Sequence, residues 1–132
     1  MLRFDYMHSD FHPIFLFLGE AEDLVHLAEL LRDFAARPRE ISFSSLVPDQ
    51  ARRLGLMLVP SEDVYGMRPA GDGSFNWRLN AWQARQIAER IDALTPPENK
   101  SGSEILELGS DGEIPVKISR GEFTDDFLVD SR

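Results

Sequence analysis

The chain has no cysteine. That excludes disulfides, thiol nucleophiles, and Cys-ligated zinc or iron–sulfur sites. It also fits a reducing, cytoplasmic setting. Long apolar runs are missing too. The longest is Ile14-Phe15-Leu16-Phe17-Leu18, far short of the roughly 20 residues of a membrane-spanning helix. The opening Met1-Leu2-Arg3-Phe4-Asp5-Tyr6 lacks the basic stretch and apolar core of a secretory signal. Basic charge is scarce: 14 Lys and Arg face 23 Asp and Glu, for a net charge of −9. Such a surface opposes docking on phosphate backbones. It favours solubility and would steer the chain toward basic partners.

Familiar catalytic pieces are missing as well. Ser42, Ser44 and Ser45 sit in no Gly-x-Ser-x-Gly elbow. There is no phosphate-cradling Gly-Lys-Ser/Thr loop. Ala70-Gly71-Asp72-Gly73 lies between two strand patterns, which is the wrong context for a dinucleotide fingerprint. Nothing implies a cofactor, and no motif identifies a family.

What is present is ordinary globular material: 132 residues, 42% hydrophobic and 28% charged, enough for one domain with a real core. Leu2, Phe4 and Tyr6 alternate with polar residues, as a half-buried strand does. Ile14-Phe15-Leu16-Phe17-Leu18 does not alternate and suits a central strand covered on both sides. A helix is expected over residues 20–36, with Leu24, Leu27, Ala28, Leu31, Phe34 and Ala35 on one face. Gly19 is its expected N-cap. Glu20, Glu22 and Asp23 suit the positive end of the helix dipole, and Arg32 and Arg37 the other end. Pro38 stops it. Ile41-Ser42-Phe43-Ser44 alternates again as a strand. Residues 48–54 read as a short helix opened by Pro48, and residues 56–59 as a further strand.

Two strands flank the Asp72-Gly73 turn, with Phe75, Trp77 and Leu79 alternating after it, a hairpin signature. Asn80 and Gln83 have capping-box spacing for a second helix to about Leu94, with Ala84, Ile87, Ala88, Ile91 and Leu94 as its apolar stripe. Residues 98–103 read as a flexible loop. Strands follow over residues 104–108 and 114–119. Pro115 cannot donate to a ladder, which places the second of these at a sheet edge.

Short turns between strands predict an α+β domain over residues 1–132. Its sheet is largely antiparallel, with two main helices packed on one face. Residues 1–60 and 61–119 each read as ββαββ, a pattern that a pseudo-duplication would give. Two helices on one sheet give it equally, and that simpler account is preferred.

Two stretches could carry chemistry. In an extended segment, His8, Asp10 and His12 would point the same way, and two imidazoles with a carboxylate can hold a transition metal. A solvated link before Pro13 is the simpler reading. Glu122, Asp125 and Asp126 could hold a hard cation, though not at EF-hand spacing, and Phe123 and Phe127 could anchor that turn. A binding surface is suggested by aromatics close to arginines in sequence: Tyr65, Trp77 and Trp82 beside Arg68, Arg78 and Arg85. The leading expectation is a non-enzymatic protein-binding module, inhibitor- or immunity-like, with a protein partner of basic character or a second copy of the chain. The alternative is a small metal-dependent enzyme using His8, Asp10 and His12. A small-ligand pocket between helices and sheet is a third possibility.

Overall fold

The structure is a computed structural model that describes residues 2–8, 13–47, 54–96 and 102–121. The expected helix at residues 48–54 falls almost wholly outside these, as does the start of the expected loop at 98–103.

The first strand, β1 (Arg3–Met7), runs antiparallel to β2 (Ile14–Gly19), with Phe4 opposite Phe17 and Tyr6 opposite Phe15. β2 feeds α1 (Ala21–Ala36). The N-cap is Glu20 rather than Gly19. Its backbone N–H donates to Asp23 Oδ2 at 2.9 Å, which satisfies a group at the helix entrance. Gly19 ends the strand instead. A Cβ there would stand 2.7 Å from Asp23 Cβ, so its smallness allows strand and helix to meet. The helix ends where Arg37 N–H donates to Asp33 O at 3.0 Å, and Pro38 cannot continue it.

β3 is only Ile41–Ser42. The expected alternation through Ser44 gives way to a 3-10 turn, Phe43–Ser45, because Ser42 Oγ accepts from Ser44 N–H at 3.1 Å. Then come β4 (Leu56–Pro60), β5 (Gly66–Pro69) and β6 (Phe75–Leu79). The β5–β6 hairpin forms as expected. Ala70 N–H reaches Ser74 O, Asp72 accepts from Ser74 N–H, and Gly71 supplies a φ of 92°. α2 (Ala81–Asp92) opens with the expected capping box: Gln83 N–H donates to Asn80 Oδ1 at 2.7 Å, and Asn80 N–H to Gln83 Oε1 at 3.0 Å. It stops two residues before Leu94, which stays buried after a tight turn. β7 (Gly102–Leu106) and β8 (Val116–Arg120) complete the chain described.

The class is α+β and the pairing is largely antiparallel, as expected. The strands form two four-stranded sheets, in the orders β1-β2-β8-β7 and β3-β4-β6-β5. Each holds one parallel pair at its centre, β2 with β8 and β4 with β6, between antiparallel neighbours. The first sheet thus joins the two ends of the chain. The second is built from its middle.

Pro115 is not on an edge strand. β8 lies between β2 and β7. Pro115 precedes the ladder, where its missing N–H costs no bond, and its carbonyl accepts from Phe15 N–H at 2.9 Å. The free edges of that sheet are β1 and β7. Just before β8, Ile114 bridges Met67 of β5, its N–H donating to Met67 O at 2.8 Å. This ties the two sheets together.

One core fills the space between. Phe4, Phe15 and Phe17 of the first sheet meet Phe75 and Trp77 of the second, and Phe43 of the 3-10 turn. Phe17 stacks on Trp77 with ring centroids 5.3 Å apart. The same core takes Leu24, Leu27, Leu31 and Phe34 of α1 and Ala84, Ile87, Ala88 and Ile91 of α2. The helices also pack on one another, joined at the surface by the Arg32–Asp92 ion pair.

Candidate functional site

Strand alternation decides where the six residues of the expected aromatic–arginine surface go. Trp77 points inward with Phe75 and Leu79 and is 1% exposed. It is a core residue and, contrary to expectation, takes no part in an exposed contact surface. Arg78 and Arg68 point the other way, onto the outer face of the second sheet. There Arg68 lies opposite Asn76, and Arg78 opposite Gly66. Tyr65 precedes β5, and its hydroxyl donates to Glu62 O at 2.7 Å. Trp82 and Arg85 are on α2, facing away from the core. The six residues therefore occupy three places: the core, the outer face of the second sheet with Tyr65 beside it, and the exposed side of α2.

The side of α2 opposite the stripe Ala84, Ile87, Ala88, Ile91 carries Trp82, Arg85, Gln86 and Glu89. Trp82 is 64% exposed. Arg85 and Gln86 follow at i+3 and i+4, the spacing of neighbours on a helix surface.

The outer face of the second sheet has a different character. The register sets Ser42, Met57, Asn76 and Arg68 in one row, and Val59, Arg78 and Gly66 in the next. Arg68 Nε donates to Tyr65 O at 3.0 Å and an Nη to Asp111 O at 2.6 Å. Both partners are neutral carbonyls. Among the described residues the Arg78 side chain makes no hydrogen bond or ion pair. The turn beside this face is held by Glu113, whose carboxylate accepts from the N–H groups of Leu108, Gly109 and Ser110. Gly66, at φ 96°, lies against that carboxylate, where a Cβ would come within 2.6 Å of Glu113 Oε2.

Three other arginines bond carboxylates. Arg37 and Arg39 both bond Asp33, at 2.8 and 2.7 Å. These two guanidinium groups pull the Asp33 carboxyl down to about 2. Arg90 bonds Glu104 at 2.6 Å and the Ile105 carbonyl at 3.0 Å, so it covers part of the β7 edge.

Of the expected metal group, His8 is exposed, its ring 5.9 Å from that of Tyr6. Asp10 and His12 lie outside the described residues, as do Glu122, Phe123, Asp125, Asp126 and Phe127. Among the described residues no three His, Asp or Glu side chains are grouped to hold a metal ion.

One feature was not foreseen from sequence. Leu2, Leu46 and Val47 floor a cleft of about 230 Å³ rimmed by Asp23 and His26 of α1. The i, i+3 spacing of Asp23 and His26 was visible, but their meeting with Leu2 and Leu46 depends on tertiary packing.

No family model, curated protein or solved structure matches this chain. Among the described residues, no helix is long and apolar enough to cross a membrane.

Proposed function

We propose that this chain is a non-catalytic, protein-binding domain that uses the exposed side of α2 as its contact surface. The observation that supports this reading is Trp82, 64% exposed on a helix whose other side is given wholly to the core. An indole is a large apolar group with one polar handle, and its burial on a partner is among the strongest single contributions to an interface. Arg85 and Gln86 beside it supply hydrogen-bond donors suited to the rim of such a contact. The net charge of −9 would accelerate encounter with a basic protein. An inhibitor- or immunity-like role is the narrower form of the proposal. The lack of cysteine suits work in the cytoplasm.

The test is affinity capture with the immobilised full chain, run beside Trp82→Ala and Arg85→Ala, together with sedimentation of each protein. A stoichiometric protein captured by the wild type and lost with Trp82→Ala, at unchanged circular dichroism, supports the reading. A dimer abolished by Trp82→Ala makes the partner a second copy. Recovery of no partner with a monomeric wild type, or capture unaffected by both substitutions, overturns it.

A further inference from the structure

The net charge points to a basic partner, yet one face of the molecule is locally inverted. Among the described arginines, Arg32, Arg37, Arg39 and Arg90 each bond a carboxylate. Arg68 and Arg78 do not. Both project from the outer face of the second sheet; no residue of its two rows is acidic, and the nearest carboxylate, that of Glu113, lies against Gly66.

We propose that this face binds an acidic, extended segment of a partner protein through Arg68 and Arg78. The two arginines are diagonal neighbours across an antiparallel pair, Arg68 opposite Asn76 and Arg78 two residues further along β6. Diagonal positions of this kind are about 7 Å apart. Alternate residues of an extended peptide are separated by nearly the same step, about 6.7 Å. A segment with Asp or Glu at alternate positions therefore brings one carboxylate to each guanidinium. Charge-assisted hydrogen bonds are the stronger class, and a guanidinium fork matches a carboxylate in two-point contact. Arg68 is pre-oriented by the Tyr65 and Asp111 carbonyls, and its remaining N–H groups stay available. Met57 and Asn76, in the row of Arg68, offer an apolar contact and an amide.

The nearby acids do not cancel the pair. Glu113 is spent on three backbone N–H groups, and Asp111 meets Arg68 through its carbonyl rather than its carboxylate. Nucleic acid is the less suitable polyanion. Two arginines are a thin basis against a chain of charge −9, and Trp77, which could have stacked a base, lies on the opposite side of β6.

The experiment is fluorescence anisotropy of a labelled peptide with Glu at alternate positions, titrated with the full chain. Controls are a peptide of equal composition with its Glu residues in one block and a single-stranded oligonucleotide. Arg78→Gln is the deciding variant, because the Arg78 side chain has no hydrogen-bond or ion-pair partner to lose among the described residues. Saturable, salt-sensitive binding of the alternating peptide is expected. It should weaken about tenfold in Arg78→Gln, weaken again when Arg68→Gln is added, and stay unchanged in Arg37→Gln at the end of α1. Absence of saturable binding, equal binding by Arg78→Gln, an equal loss in Arg37→Gln, or tighter binding of the oligonucleotide overturns the proposal.

Discussion

β2 and β6 hold the same place in their respective sheets. Each runs antiparallel to the strand before it, parallel to a strand on its other side, and feeds a helix. Their surroundings nonetheless differ. Phe15 to Leu18 of β2 are buried without interruption, so that strand is covered on both faces. β6 alternates, with Phe75, Trp77 and Leu79 buried and Asn76 and Arg78 half-exposed. Leu16 and Leu18 even form a second small apolar cluster with Met7, apart from the main core. Topology thus sets which strands pair. The side chains decide how many faces are removed from water. Continuous apolar residues demand cover on both sides, and strict alternation leaves one side wet and free to recognise something.

The two inner faces should be energetically alike. Phe17 and Trp77 stack across the core, and truncation of either leaves a cavity that close packing cannot fill. Phe17→Ala and Trp77→Ala are each expected to cost about 3–5 kcal/mol. That is a large share of the roughly 5–15 kcal/mol of a typical domain. Urea unfolding followed by circular dichroism measures both. If one of them costs less than about 1 kcal/mol, the shared core has been misassigned.

The outer faces should diverge. Leu18→Ala on β2 removes a side chain 2% exposed and should cost about 2–4 kcal/mol. Asn76→Thr on β6 should stay within about 0.5 kcal/mol, as surface substitutions usually do. The gap between these two measurements is the comparison in its sharpest form. Equal values would break it.

The helix entrances should again be alike, because both carry a capping box. Asn80→Ala should destabilise by about 1 kcal/mol. Asp23→Ala, which frees the Glu20 N–H, should cost somewhat less, since Glu20 is exposed and water can replace the bond. Thermal melts of the two variants give the order directly.

Much of this was legible because it is local. The unbroken run in β2, the alternation in β6, the Asn80–Gln83 box and the hairpin at Asp72-Gly73 depend on residues near in sequence. The division into two sheets was not legible. It requires β2 to find β8 and β4 to find β6, and neither pair is marked by local chemistry. Pro115 misled because a missing N–H matters only inside a ladder, and Pro115 stands just before one. The expected contact surface failed at Trp77 for a reason already present in the sequence. Trp77 and Arg78 are consecutive on a strand, so they must point to opposite faces. Grouping them by nearness in the chain ignored the pleat. Trp82 was separable from its stripe by helical spacing alone, and with Arg85 it is the part of that surface which remains exposed.

The helix exits carry the comparison to its smallest effect. After α2 the chain is held by uncharged acceptors: Thr95 Oγ1 donates to Asp92 O, and Arg120 donates to the carbonyls of Leu94 and Pro96. After α1 it is held by a carboxylate, since Arg37 and Arg39 both bond Asp33. That exit should respond to acid. The hydrogen bonds from Arg39 and then Arg37 lower the Asp33 carboxyl to about 2. A lowered folded value means the folded chain binds fewer protons than the unfolded chain between the two values. The contribution is therefore fully present above the ordinary Asp value of about 3.9 and is lost as pH falls toward about 2. The group is exposed, so the effect should be small and should shrink with salt. Asp33→Asn should flatten the fall in melting temperature between about pH 4 and pH 2 at low ionic strength, and the two proteins should converge in high salt. A carboxyl resonance of Asp33 that titrates at the ordinary value would show that the arginines do not grip it in solution, and the exits of α1 and α2 would then be alike.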